Sequence, residues 1–110
     1  MNKSTDTMHS HNNVIFISQK MNASCPDVAK ETYHSLHKIE NELNSSRSSK
    51  HNILKINVYV PDMTCWQAMQ KGYEQFFGSC APNYTIIPTT KDPQSVAFEV
   101  IAEKTDYYAS

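Results

Sequence analysis

Residues 53–78, ILKINVYVPDMTCWQAMQKGYEQFFG, contain the two patterns that decide the fold of this 110-residue chain. Over the first eight residues apolar and polar side chains alternate, which is the period of a strand with one buried face. Pro61 and Asp62 break that strand, and Asp62 or Thr64 can cap the helix that follows. Gly78 favours the end of the helix because glycine tolerates the left-handed backbone conformation. The stretch predicts a strand followed by an amphipathic helix.

Two apolar sets define the predicted buried faces of these elements. In the strand the set alternates with polar residues, and in the helix it recurs every three or four positions. The strand set is Leu54, Ile56, Val58 and Val60, and the helix set is Trp66, Met69, Tyr73, Phe76 and Phe77.

Toward the N-terminus, the short apolar run 14–17 predicts a strand that is buried on both faces. The polar residues 18–24 then predict a turn into a first helix. Pro26 suits the first helical position, with Ser24 or Cys25 as the cap. The helix should end near Asn44, because the serine-rich segment that follows is typical of a loop.

Two further strands are predicted after the second helix, at residues 84–87 and 96–102. In the last strand Val96, Phe98 and Val100 alternate with Ala97 and Ile101, so both faces require burial. Two helices with one apolar face each can cover only one face of a sheet. We therefore predict a single α+β domain with two helices on one face of a mixed sheet, and a second copy of the chain on the other.

The domain boundaries follow from these elements. Residues 1–13 are polar and predict a loose tail, residues 14–103 form the domain, and residues 104–110 form a C-terminal tail. The histidine pairs 9/11 and 34/37 have no third ligand at suitable spacing, so no metal or other cofactor is predicted.

Composition excludes several classes of protein. The net charge of −1 argues against a dedicated nucleic-acid binder, which would carry a basic surface. Three cysteines without CxxC spacing favour reduced thiols in a cytoplasmic protein. No apolar run approaches the length of a membrane span, and residues 1–13 lack the apolar core of a signal peptide.

The ordered motifs resemble those of one known family. The central block NILKINVYVPDM (residues 52–63) is followed by YEQFF (73–77), Ala81-Pro82 and AFEVIA (97–102). This series resembles the RidA/YjgF family of reactive enamine/imine deaminases, also labelled L-PSP endoribonucleases, from about Val14 to Ala102. The resemblance implies a homotrimer with a barrel-like centre and a small-molecule cleft at each subunit interface.

The resemblance also implies which residues form the site. Glu99 matches a family glutamate that positions a water or shuttles a proton, which makes it the candidate catalytic residue. Asn83 stands where the family has an arginine that binds the substrate carboxylate. A neutral amide cannot supply that charge, and Lys71 and Lys91 are the nearest cations along the chain. The remaining candidates for substrate binding are Ser18, Gln19, Tyr84 and Thr85.

Three functions remain open on this reading. The first is a divergent member that binds a small metabolite but lacks 2-aminoacrylate deaminase activity, because Asn83 replaces the arginine. The second is an active deaminase or hydrolase that uses Glu99 on a different enamine or imine. The third is an RNA-directed protein, which the near-neutral charge disfavours.

Overall fold

The fold is described from a computed structural model, which places residues 7–11, 13–23, 27–89 and 94–105. Its helices and strands are, in chain order, β1 (Thr7–His11), β2 (Val14–Asn22), α1 (Val28–Ser45), β3 (Ile53–Val60), α2 (Met63–Phe77), β4 (Tyr84–Pro88) and β5 (Ser95–Glu103). Short 3₁₀ turns precede β3 and follow α2. The predicted α+β class is confirmed.

The strands form one mixed sheet in the order β1-β2-β5-β3-β4. β5 lies at the centre and pairs antiparallel with both β2 and β3, while β4 pairs parallel with β3 at the edge. Because α2 connects β3 to β4, these two strands form the parallel unit with a helical crossover. The central place of β5 explains why its alternating apolar residues Val96, Phe98, Val100 and Ala102 are at most 1% exposed.

Both helices cover the same face of the sheet, as predicted. One side chain in two from β2, β3 and β5 points toward them, which produces a single core. The buried strand residues of this core are Ile15, Ile17, Met21, Ile56, Val58, Val60, Val96, Phe98, Val100 and Ala102. We call this side of the sheet the helix face and the opposite side the open face.

Aspartate side chains cap both helices. Asp27 accepts a hydrogen bond from the Lys30 N–H at 3.0 Å, and Asp62 accepts one from the Cys65 N–H at 2.8 Å. Each bond satisfies one of the donors that the first helical turn leaves free. The prediction of Asp62 is confirmed, whereas the cap of α1 is Asp27 rather than Ser24 or Cys25. Residues 24–26 lie outside the described part of the chain.

The N-terminal expectations need correction. Residues 7–11 are not a loose tail, because they form β1 and pair antiparallel with β2 from Thr7↔Ser18 to His11↔Val14. An edge strand is held by its backbone hydrogen bonds, so it requires no alternating apolar pattern. β2 also continues through residues 18–22, where a turn was predicted, because it stays paired with β5 as far as Asn22↔Ser95.

Two predictions about burial were also wrong. Phe16 is 41% exposed, so β2 is buried on one face rather than two. Leu54 is 49% exposed because the pairing of β3 with β5 shifts register between Ile53 and Lys55, which moves it off the buried side. The alternation of apolar and polar residues in the sequence stays regular at such a bulge, so the pattern does not predict it.

The other predicted positions agree with the structure. All of the predicted apolar residues of α2 are buried, and α2 ends at Gly78, whose φ of 64° is left-handed. Neither helix of the described residues is long and apolar enough to cross a membrane. The predicted turn at residues 91–93 and the C-terminal residues 106–110 lie outside the described part.

The two helices cross closely at Gly72. A Cβ built on Gly72 would overlap the carbonyl oxygen of Ala29 in α1 and lie 3.2 Å from the Cβ of Thr32. Backbone atoms cannot yield as a flexible side chain can, so the glycine sets the separation of the helices.

We expect Gly72→Ala to lower the free energy of unfolding. Overpacking a close contact costs about 1–3 kcal/mol, which outweighs the gain of roughly 1 kcal/mol in helix propensity. Urea denaturation followed by circular dichroism measures the change. Gln67→Ala, at an exposed position of the same helix, is the control and should be close to neutral. A Gly72→Ala protein as stable as the wild type would mean that the helices can separate without cost.

Candidate functional site

Polar side chains form a row across the open face of the sheet. Ser18 of β2 pairs with Glu99 of β5, and Glu99 also pairs with Asn57 of β3. Asn57 in turn lies beside Thr85 of β4. Residues paired in register project to the same side of a sheet, so these four share one surface. Three predicted site residues, Ser18, Thr85 and Glu99, are therefore brought together.

Glu99 is the centre of this row. Its Oε1 accepts a hydrogen bond from the Tyr59 hydroxyl at 2.8 Å and one from the Asn57 side-chain amide at 3.4 Å. Its side chain is exposed, so the other carboxylate oxygen can reach water or a ligand. A carboxylate held by two donors has a fixed orientation, which suits the positioning of a water or an amine.

The hydrogen bond to Glu99 is the main reason why the pKa of Tyr59 is raised above its ordinary value of 10.0. Burial and the negative charge of Glu99 raise it further, since both disfavour a second anion. The hydroxyl therefore stays protonated and acts as a donor through the neutral pH range.

Asn83 lies directly before β4, beside β3. Its carbonyl oxygen accepts a hydrogen bond from the Ile56 N–H at 3.0 Å, and its side chain is exposed. The backbone of Asn83 is thus level with Lys55 and Ile56, at the same end of the sheet as the register shift.

Of the two predicted cations, Lys71 is the one that the structure describes. Lys71 belongs to α2 and so to the helix layer, and Lys91 lies outside the described residues. Lys55 is different. It is exposed and shares the open face with Asn57, two residues along β3 and diagonal to Glu99. Arg47, the chain's one arginine, lies in the turn after α1.

Two predicted site residues lie on the helix face instead. Gln19 is only 3% exposed and pairs with Phe98, so its side chain belongs to the core. Tyr84 packs on the rings of Trp66 and Tyr73, with centroids 5.3 and 5.2 Å away. In a strand, adjacent residues point to opposite sides, and this separates Gln19 from Ser18 and Tyr84 from Thr85.

Tyr59, Asn57 and Lys55 were missed as site residues. Their alternation in β3 already indicated a shared polar face. What the sequence lacked was the register that sets Asn57 opposite Glu99. Strand pairing between elements forty residues apart cannot be read from local patterns.

Among the described side chains, the environment of Cys65 disfavours a reactive thiolate, and no cluster of metal-ligating residues is found. Burial raises the pKa of the Cys65 thiol and the charge of Asp62 adds to the shift, so little nucleophilic thiolate forms. No group of three or more His, Cys, Asp or Glu residues is placed to hold a metal ion within residues 7–11, 13–23, 27–89 and 94–105.

We expect Glu99→Gln to lower the pKa of Tyr59 toward its ordinary value, since it removes the anion that disfavours the phenolate. NMR titration of ¹³C-labelled tyrosine side chains would report the change. In the wild type, the pair stabilises the fold below about pH 10, and this contribution is lost as pH rises through the raised pKa. An unchanged Tyr59 titration would contradict the hydrogen bond.

Comparison with known proteins identifies the family. Residues 6–103 match the family described as Endoribonuclease L-PSP. A RutC family protein of Pyrococcus horikoshii is 26% identical over 76 residues, which is 69% of this chain. That match spans only 60% of the curated relative's own length.

Solved structures show the same fold. Yeast Mmf1 has a TM-score of 0.77 at 20% identity, covering 89% of this chain and 85% of that one. The YjgF gene product of Escherichia coli has a TM-score of 0.74 at 21% identity, covering 89% and 86%. A putative endoribonuclease of Thermotoga maritima reaches 0.76 at 18%, covering 96% and 88%. With nearly the whole domain matched, this chain belongs to the Endoribonuclease L-PSP family, which is the RidA/YjgF family.

Proposed function

We propose that the chain binds a small metabolite in a cleft between subunits, with the row around Glu99 as one wall. We further propose that it lacks the standard 2-aminoacrylate deaminase activity. The observation that carries the proposal is the hydrogen-bonded Glu99 on the open face, flanked by Ser18 on β2 and Asn57 on β3, with Thr85 one strand further along the row. An oriented but exposed carboxylate in a row with hydroxyl and amide side chains is suited to a polar ligand.

A cleft at this place requires a second copy of the chain. The open face has no helix, yet it carries Phe16, which is 41% exposed, paired with the half-buried Ile101. Exposed apolar side chains beside a polar row are typical of an association surface. We propose a cytoplasmic homotrimer in which each open face is covered by neighbouring subunits.

The loss of deaminase activity follows from charge. Hydrolysis of an imine adds water across the C=N bond and releases ammonia and a carbonyl compound. Glu99 can accept the proton from the attacking water and return it to the leaving nitrogen. An anionic substrate also needs a cation to hold it, and Asn83 offers only an amide. Lys55 is a point charge on a flexible stem and does not reproduce a bidentate guanidinium.

The same residues favour one alternative, an active hydrolase with an uncharged substrate. The exposed Asn83 could bind a carbonyl or amide group where the family arginine binds a carboxylate. Under this alternative, Asn83→Ala lowers turnover of that substrate while the assembly stays intact. An RNA-directed role is suggested only by the names of relatives, and a net charge of −1 weighs against it.

We expect purified protein to release ammonia from 2-aminoacrylate no faster than buffer does. 2-Aminoacrylate generated in situ and coupled ammonia detection provide the measurement. Asn83→Arg should restore measurable turnover if the missing guanidinium is the only defect, and Asn83→Lys should restore less. Turnover by the wild type that vanishes in Glu99→Ala would overturn this proposal and support an active enzyme.

We expect sedimentation velocity to show a trimer at micromolar concentration. Phe16→Asp places a charge on the open face and should shift the protein toward monomer, because burying an unpaired charge is costly. His34→Asp, at an exposed position of α1, is the matched control and should leave the trimer unchanged. A wild-type protein that is strictly monomeric would contradict the interface cleft.

A further inference from the structure

A second concave site lies on the opposite side of the sheet from Glu99. It is a cavity of about 460 Å³ between α2 and the edge strand β4. A cavity of this size is within the range of small-molecule sites. Because it opens on the helix face, it shares no side chain with the row of Ser18, Glu99 and Thr85.

Three aromatic rings form the apolar wall of this cavity. Trp66 lies 5.3 Å from Tyr73 and 5.3 Å from Tyr84, and the two tyrosines are 5.2 Å apart, measured between ring centroids. The rings are tilted by 46–68° to one another, so they meet edge to face and cannot close into a flat stack. Tyr84 remains 41% exposed at the rim.

The charge in the cavity lining is negative. Among the described residues that line the cavity, Glu74 is the only charged one, none is a lysine, arginine or histidine, and Gln70 and Ser79 supply neutral hydrogen-bonding groups. Aromatic faces attract cations through their quadrupole, and a nearby carboxylate strengthens that attraction. The lining therefore favours a cation over an anion.

The Tyr73 hydroxyl is unsatisfied. Tyr73 is 2% exposed, and its oxygen is buried without a hydrogen-bond partner among the described residues. A buried hydroxyl normally has a partner, and the absence of one costs stability. Tyr73 lines the cavity, and its hydroxyl has almost no accessible surface, so a small shift of its ring would let the hydrogen-bonding group of a bound ligand supply that partner.

We propose that this cavity binds a small organic cation, an amine or quaternary ammonium compound that also carries a hydrogen-bonding group. The aromatic wall receives the cationic end, Glu74 supplies the counter-charge, and the Tyr73 hydroxyl pairs with the polar group. The site is independent of the proposed function, because its residues lie on the other face of the sheet. It gives the chain a second ligand site.

Three probes of similar size separate these contributions. Choline has both the cationic head and a hydroxyl, 3,3-dimethyl-1-butanol has the same shape without the charge, and tetramethylammonium has the charge without the hydroxyl. Trp66 is the only tryptophan of the chain, so its fluorescence and its single indole N–H resonance report on the cavity directly. We expect choline to bind at least fivefold more tightly than the neutral alcohol, on the scale of a cation–π contact.

Variants test the two polar residues. Glu74→Gln should weaken choline binding roughly fivefold and leave the neutral alcohol unchanged, whereas Glu40→Gln, on α1 away from the cavity, should affect neither. Tyr73→Phe should raise the stability of the ligand-free protein, because it removes an unsatisfied hydroxyl. It should also abolish the preference for choline over tetramethylammonium, which a purely structural tyrosine would not do.

Several results would overturn the proposal. Equal affinity for choline and the neutral alcohol would mean that the cavity is an apolar depression without charge preference. An equal loss in Glu74→Gln and Glu40→Gln would mean that choline binds through net charge alone. No response of the Trp66 signals at 100 mM choline, in protein whose assembly and fold are intact, would mean that the cavity does not accept this class of ligand.

Discussion

The close crossing of α1 and α2 at Gly72 is the contact on which the arrangement of the domain depends. Because no side chain separates Gly72 from the Ala29 carbonyl, both helices fit on one face of a five-stranded sheet. A wider separation would expose the apolar residues of β2 and β3 beneath them. With both helices of the described residues on one side, neither covers the opposite face of the sheet.

The open face combines two properties that normally occur apart. It carries a polar row centred on Glu99 and, beside it, the apolar pair Phe16 and Ile101. A monomer gains nothing from exposing Phe16, and a subunit interface gains little from burying an unsatisfied carboxylate. Tyr59 and Asn57 donate hydrogen bonds to one carboxylate oxygen of Glu99 within the chain. In the proposed assembly, a polar cleft would leave the other oxygen in contact with water or ligand.

Local patterns predicted the elements of this fold but not their pairing. The alternation in β3 from Ile56 onward, the apolar stripe of α2 and the glycine stop at Gly78 each depend on neighbouring residues, and each was confirmed. β1 and the register shift near Leu54 depend on backbone pairing with distant strands, and both were missed. The same distinction applies to the residues of the candidate site. Glu99 was named as a candidate from the sequence, whereas its hydrogen bond from Tyr59 became visible only through register.

Two adjacent residues of the edge strand β4 point to opposite faces of the sheet. Tyr84 faces the aromatic cavity, and Thr85 faces the row of Glu99. A strand shifted by one residue turns every side chain to the other side. Deletion of one residue from the turn between Gly78 and Tyr84 would therefore bring Thr85 toward the aromatic wall and Ile86 toward Glu99. The length of that short turn, as much as the identity of any side chain in it, keeps the chemistry of the two faces separate.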